Sequence, residues 1–323
     1  MKKYLITGYS GFVSGHFLHA LESLGKPVEV LGIDIADPGI NYIFIHVKAT
    51  FQKLNLLDKE AVSRVLAEFA PDYILHLASY SSVAYSWKSP AEAFVNNTNI
   101  FLNLADQIRI LNMQCRLLSV GSSEEYGNIT EADVPVTEDL FTKPRSPYAV
   151  ARVSQEMLSE IYAKNYGIDI VLTRSFNHIG PGQRDIFVIS SFAKKLVDIK
   201  QGILPENEIT VGNISLIRDF VDVRDVVRAY LLLFEKGKTG EIYNICSGMG
   251  HSLEAILKKL MAILNVSPKI KVDRDFIRPD DNKIMIGSYK KIREQTGWSP
   301  DYSLNQSLED IISYWSGQSR SVI

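Results

Sequence analysis

The chain has 323 residues, of which 46% are hydrophobic and 22% charged, and a formal net charge of −2. That balance predicts a folded globular protein, with one large domain or a large and a small one, and argues against disorder. With no long basic run and no apolar run of roughly 18 residues, nucleic-acid binding, an acidic-membrane surface and a transmembrane helix are not expected.

The N-terminal apolar stretch, Tyr4 to Thr7, runs straight into a glycine turn. It is too short for a signal peptide, so the expected compartment is the cytoplasm. Strands are predicted over Lys3–Thr7, Val28–Asp34, Tyr73–Ala78, Arg116–Val120 and Asp169–Ser175. Between them the apolar spacing predicts helices over Ser14–Leu24, Lys59–Phe69, Ala91–Leu111 and Pro147–Tyr166. Strands alternating with helices of this length point to a parallel sheet covered on both faces, the doubly wound α/β fold. Beyond Ser175 the pattern loosens. Helices are expected over Phe187–Lys200, Val226–Phe234, Ser252–Leu264 and Leu304–Tyr314, with extended pieces at Thr210–Val211 and Arg218–Val223. Ile242–Cys246 reads as a strand returning to the sheet. The expected division is a dinucleotide-binding domain over 1–176, with returning pieces near 218–247, and a smaller substrate lobe over 177–323. Cys115 and Cys246 are the only cysteines. Both lie in apolar segments and read as buried free thiols of a reducing compartment, without the spaced partners a zinc site needs, so no metal is expected.

Gly8, Gly11 and Gly15 follow the first predicted strand in the run Gly8-Tyr-Ser-Gly-Phe-Val-Ser-Gly15. Glycines there let backbone N–H groups approach a pyrophosphate, which the start of a helix also attracts. Asp34 closes the second strand. A carboxylate at that place accepts the ribose hydroxyls of an adenosine and repels a 2′-phosphate, so NADH is favoured and NADPH remains possible. Asn55 either touches the adenine or caps the helix that follows.

Ser122 lies at the end of the fourth predicted strand, in Gly121-Ser-Ser-Glu-Glu-Tyr-Gly127. Such strand ends are where parallel sheets hold ligands. Tyr148 and Arg152 sit four apart in Ser-Pro-Tyr-Ala-Val-Ala-Arg, residues 146 to 152. A helix starting near Pro147 puts both on one face. A fixed cation beside a phenol favours the phenolate, and a phenol tuned that way passes a proton.

This Ser–Tyr–cation set resembles the extended short-chain dehydrogenase/reductase family, which acts on nucleotide sugars. The likeness covers nearly the whole chain. It includes His76-Leu-Ala-Ser79, Ser86 with Pro90 and Asn97, Arg174-Ser-Phe-Asn177, Arg218-Asp-Phe-Val-Asp-Val-Arg-Asp225, Tyr243-Asn-Ile-Cys-Ser-Gly248 and Gly297-Trp-Ser-Pro300. Gly121 to Gly127, Ser175-Phe-Asn-His-Ile-Gly-Pro-Gly-Gln183 and Phe187-Val-Ile189 resemble the GDP-4-keto-6-deoxy-mannose reductase branch. The resemblance implies NAD(P)H-dependent reduction of the C4 ketone of a GDP-4-keto-6-deoxy sugar, giving a GDP-deoxyhexose such as GDP-rhamnose. The alternatives are a GDP-mannose-type 4,6-dehydratase, a C4 epimerase, and a non-catalytic nucleotide sensor that kept the fold.

The resemblance also implies roles. Ser122 bonds the sugar O4 and Tyr148 gives that oxygen its proton. Arg152, where the family carries Lys, holds the nicotinamide ribose and tunes Tyr148. Cofactor contacts fall to Gly8, Ser10, Gly11, Phe12, Val13, Asp34, Asn55, Leu56, Leu77 and Ala78, besides Tyr148 and Arg152. Asn177, Arg218 and Arg278 are expected on the nucleotide diphosphate, and the backbone of Phe187 and Val188 in the GDP pocket. Glu124 stands where dehydratases carry a base, or is a hydrogen-bonding pocket residue. Assembly as a homodimer or tetramer through the two long helices is implied too.

Two departures stand out. Ser14 replaces the expected glycine, which predicts slightly looser packing and no lost site. Arg is planar, larger and practically always charged, so it cannot fill the volume of the usual Lys. Blander readings apply elsewhere. His76 and Trp298 read as core, Tyr126 as core or nicotinamide neighbour, and His178 chiefly as a bystander. Asp222 and Asp225 are expected to orient Arg218 or to cap the helix that follows.

Overall fold

The computed structural model describes residues 1–39, 43–204, 208–273 and 282–318. In chain order the first part contains β1 (Lys2–Thr7), α1 (Phe12–Ser23), β2 (Val28–Asp34), β3 (Val47–Lys53), α2 (Lys59–Phe69), β4 (Tyr73–His76), α3 (Val83–Lys88), α4 (Pro90–Ile110), β5 (Arg116–Ser122), a 3₁₀ turn (Ser123–Tyr126), α5 (Pro147–Tyr166) and β6 (Asp169–Ser175). The remainder contains β7 (Asn177–Ile179), α6 (Val188–Lys200), β8 (Glu208–Val211), β9 (Ile217–Asp222), α7 (Val223–Lys236), β10 (Ile242–Ile245), β11 (Gly250–Ser252), α8 (Leu253–Leu264), β12 (Lys269–Val272), β13 (Ile284–Met285), α9 (Lys290–Thr296) and α10 (Leu304–Gln318).

Seven parallel strands form the main sheet in the order β10-β6-β5-β4-β1-β2-β3. Its central strands are apolar on both faces: Leu5, Ile6, Ile74, Leu75, Leu117, Leu118, Ile170 and Val171 have no exposed surface. Such strands are stable only between two helical layers. One layer contributes Phe17 and Leu18 of α1 and Val226, Tyr230 and Leu233 of α7. The other contributes Val62 and Leu66 of α2, Phe101 and Leu104 of α4 and Tyr162 of α5. The strand order reverses about β1, so the helices that follow β1 and β4 lie on opposite faces and leave a crevice at the carboxyl ends of the strands. This is the doubly wound fold that the alternation predicts.

A second core joins α6, α8 and α10 through Phe192, Leu196, Ile256, Leu260, Leu308 and Ile311. It is floored by small sheets, β11-β9-β13 with β7 on β9, and β12-β8. Among the described residues no helix is long and apolar enough to cross a membrane.

Several sequence expectations are corrected. β3 was not foreseen. It is an edge strand on which only Val47 is buried, so its pattern carries little hydrophobic signal. β4 stops at His76, so Leu77 and Ala78 lie in the loop over the crevice, whereas β5 runs on to include Gly121 and Ser122. α1 begins at Phe12, two residues before its predicted start, and α7 at Val223, three before.

Candidate active site

The phosphate-binding turn rests on close backbone contact. Gly8 has φ +72°, and a Cβ there would lie 2.8 Å from the Ala78 amide nitrogen. Only glycine therefore lets the turn after β1 touch the loop after β4. Gly11 is the N-cap of α1, and no side chain caps that helix. Its first N–H groups are thus left for a ligand, as a pyrophosphate requires. Ser14, in the first turn, is fully buried, and its Oγ has no hydrogen-bond partner among the described residues.

At the end of β2, the Asp34 carboxylate accepts the Ser10 N–H at 2.9 Å and the Ala36 N–H at 3.1 Å. These bonds fix it beside the glycine turn. The turn, the uncapped helix and the fixed carboxylate fit the phosphates and ribose of a nicotinamide dinucleotide. Leu56 is buried, and its carbonyl accepts the Asn103 amide at 2.9 Å. The helix-cap reading of Asn55 is wrong. Asp58 caps α2 through the Ala61 N–H, and the Asn55 side chain accepts the Leu57 N–H instead.

Ser146 caps α5 by accepting the Ala149 N–H at 3.1 Å, and Pro147 opens its first turn. Tyr148 and Arg152 then share a face and are 6% and 5% exposed. Nε–H of Arg152 donates to the Tyr148 hydroxyl at 3.2 Å. Nη1 donates to the Val120 carbonyl at 2.9 Å and to Gln155 Oε1 at 2.8 Å, and Nη2 to Ser79 Oγ at 2.6 Å. A guanidinium has five N–H donors, so four bonds to protein leave one for a ligand. Gln155 is held in turn, donating to Ser119 Oγ at 2.9 Å. The arginine is thus seated in a polar socket cut for its planar fork.

Arg152 therefore reaches β5 at Val120, two residues before Ser122 and on the same face of the strand. Ser122 Oγ accepts the Glu124 N–H at 3.2 Å. Among the described residues its own hydroxyl hydrogen has no acceptor, so it is available to a ligand. Glu124 follows in the same turn and is half-buried.

On the lobe side, β7 pairs with β9, which sets Asn177 opposite Phe220, two residues from Arg218. Asn177 donates to the Asp219 carbonyl at 3.2 Å, and Arg218 Nη1 to the Ile217 carbonyl at 2.9 Å. Asp219, which sequence reasoning missed, accepts N–H groups from Ser247 at 2.8 Å, Gly248 at 2.9 Å and Gly287 at 3.2 Å. Burial pushes its carboxyl up to about 6, against those bonds. Phe187 and Val188 open α6 without a side-chain cap. Arg278 lies outside the described residues. His178 follows Asn177 on β7, and its carbonyl accepts the Gln183 amide at 2.8 Å.

Other expectations resolve plainly. His76 and Trp298 have no exposed surface. Tyr126 is core, fully buried with its hydroxyl on Asn244 Oδ1 at 2.6 Å. Asp222 caps α7 and pairs with Arg224. Asp225 does not cap α7. It accepts N–H groups from Asp301 and Tyr302 and pairs with Arg228, anchoring the segment after Trp298. Ser79, Gln155 and Glu125 are site residues that the sequence reading passed over. Gln155 had a signal, since it lies three residues after Arg152 on a helix. Ser79 stands in the His76-Leu-Ala-Ser79 motif, but nothing there marks it as a partner of Arg152.

Comparison with known proteins extends this geometry. A family model described as GDP-mannose 4,6 dehydratase matches residues 5–311. The chain is 32% identical to the GDP-6-deoxy-D-mannose reductase of Pseudomonas aeruginosa, over 99% of each chain. It is 26% identical to a GDP-mannose 4,6-dehydratase of Vibrio cholerae, over 96% of this chain and 93% of the relative. The solved structure of RMD from Pseudomonas aeruginosa complexed with NADPH superposes with a TM-score of 0.85 at 32% identity, covering 98% of this chain and 100% of that one.

Proposed function

Since the chain belongs to the GDP-mannose 4,6 dehydratase family, among the extended short-chain dehydrogenases/reductases, we propose that it reduces the C4 ketone of a GDP-4-keto-6-deoxy sugar to a hydroxyl. The product is a GDP-deoxyhexose such as GDP-rhamnose. The observation that carries this reading is the contact of Arg152 Nε with the Tyr148 hydroxyl, on a helix whose cation also reaches the strand of Ser122. The full-length likeness to a reductase supports the choice of reaction.

When bound, a reduced nicotinamide dinucleotide supplies the hydride that no side chain here can supply. The chain's own residues manage the charge that builds on O4. Ser122 donates its unclaimed hydroxyl hydrogen to that oxygen. Tyr148 gives up its phenolic proton, and Arg152, already bonded to the phenol oxygen, holds the phenolate that remains. The remaining N–H of Arg152 would hold the nicotinamide ribose. Gly8, Ser10, Gly11, Phe12 and Val13 would hold the phosphates, with Leu77 and Ala78 across the turn, and Asn55 and Leu56 would take the adenine. Residues 1–176 thus serve the cofactor. The lobe of 177–323 serves the GDP-sugar through Asn177, Arg218, Arg278 and the start of α6.

Asp34 supports NADH as the preferred reductant, because a fixed carboxylate repels a 2′-phosphate. The likeness to RMD, solved with NADPH, supports the opposite choice. The ratio of kcat/KM for the two cofactors decides, and a clear NADPH preference removes the Asp34 reading. A 4,6-dehydratase is the second reading, favoured by Glu124 in the Ser122 turn. The deciding assay mixes purified protein with reduced cofactor and GDP-4-keto-6-deoxy-mannose and follows cofactor absorbance. Stoichiometric cofactor loss is expected. A 4-keto sugar appearing from GDP-mannose alone, with no net cofactor loss, supports the dehydratase instead.

A homodimer is the proposed assembly, on one apolar face. Val150, Met157 and Ile161 project from one side of α5 with 42%, 62% and 46% of their surface exposed. Val95 of the neighbouring α4 is 47% exposed. Free thiols at Cys115 and Cys246, both buried, suit a reducing cytoplasmic setting.

A further inference from the structure

The turn after Ser122 holds a carboxyl that the proposed reaction does not use. Glu125 has no exposed surface. Its Oε1 accepts the Ser122 N–H at 2.5 Å, while Ser122 Oγ accepts the Glu124 N–H. These reciprocal bonds form a capping box around Ser122. The box is anchored from outside as well. The Glu125 carbonyl accepts the Lys143 N–H at 3.1 Å, which ties the turn to the segment leading into α5.

A carboxyl buried this way needs partners or must be neutral. Burial, and after it the neighbouring Glu156 carboxylate, push Glu125 well above the ordinary carboxylate range. Glu156 grips Arg174 with two bonds of 2.8 Å. Arg174 in turn donates to the Glu138 carbonyl at 3.1 Å and lies 4.7 Å from the centre of the Tyr126 ring. Glu125 therefore stands between the Ser122 backbone and a rigid ion pair. Gly121 makes room for it, because a Cβ there would run into Glu125 Oε1 and the Thr173 carbonyl. Its Oε2 has no hydrogen-bond partner among the described residues. An apolar residue at 125 would fill the space at lower desolvation cost, so the acid is kept for its bond to the Ser122 N–H.

We propose that Glu125 is a positioning residue: its Oε1 fixes the Ser122 backbone, and with it the aim of the Ser122 hydroxyl, against the Glu156–Arg174 pair. The choice of substrate in the kinetic test rests on the reductase reading, and the bond itself is tested without it. Glu125→Gln keeps an acceptor for the Ser122 N–H, whereas Glu125→Leu keeps the volume and removes it.

With the GDP-4-keto sugar, Glu125→Leu is expected to lower kcat roughly tenfold or more, with KM and cofactor affinity unchanged, and Glu125→Gln to stay within about threefold of the parent. Equal losses in both variants, or an unimpaired Leu variant, overturn the proposal. Amide hydrogen exchange of the segment holding Ser122 is the second measurement. It is expected to speed up in the Leu variant and to match the parent in the Gln variant. Equal exchange in all three overturns the proposal even in a parent that does not reduce the ketone. Where the Leu variant does not fold, the folded Gln variant decides alone: kcat within about threefold of the parent supports Glu125 as a hydrogen-bonding support, and a larger loss refutes it.

Discussion

Arg152 uses four of its donors on the Tyr148 phenol, the Val120 carbonyl, Gln155 and Ser79. A lysine ammonium is a compact charge with three donors and cannot span those acceptors. Arg152→Lys is therefore expected to lower kcat by about tenfold or more, leaving Gln155 and Ser79 short of buried partners. Steady-state kinetics with each cofactor tests this, and a large gain in activity would mean that the socket detunes the enzyme. Tyr148→Phe is expected to keep cofactor binding and to lose turnover by about 10²-fold or more, the size of a general-acid contribution. Near-normal turnover would remove Tyr148 as the proton donor. The Tyr148–Arg152 pair was legible because helical spacing is local. Its support was not, because Ser79 comes from another strand end, and no local pattern marks a residue that meets an arginine through the fold. Glu125 was overlooked for a related reason. A second Glu in a turn reads as solvated until burial is known.

At the scale of elements, β4 ends on His76, which sits opposite Thr7 of β1 and bonds its hydroxyl at 2.9 Å. Burial, and then Arg152, push the imidazole down to about 3. The native ring stays neutral at a pH where the unfolded chain takes up a proton. Its contribution is therefore fully present above the ordinary value of 6.5 and is lost as pH falls from there towards 3. Each pH unit in that window costs up to about 1.4 kcal/mol. His76→Asn removes the titration. Urea midpoints of the parent are expected to fall more steeply than those of the variant between neutrality and about pH 4.5. Parallel slopes would show that the ring titrates normally. The central strands were legible as unbroken apolar runs such as Leu5-Ile6 and Ile170-Val171-Leu172. β3 escaped because an edge strand with one buried residue looks like loop.

For the whole molecule, the exposed apolar stripe of α5 is the feature on which the proposed homodimer rests. Met157→Glu combined with Ile161→Glu is expected to convert a particle of twice 36.3 kDa into one of 36.3 kDa, read by light scattering. A monomeric parent would remove the dimer reading. The same scale shows a cost in the order of the strands. β10 closes the sheet beside β6, although β7, α6, β8, β9 and α7 come between them in the chain. The Phe176 N–H and the Leu172 N–H both find their acceptors, on Ile245 and Glu241, in that late segment. A ribosome that has released residues 1–176 has therefore delivered a sheet with an unpaired, apolar rim, open to neighbouring chains. That rim stays open until residue 245 clears the exit tunnel. The pace of translation across this stretch thus bears on how much of the protein reaches its native state.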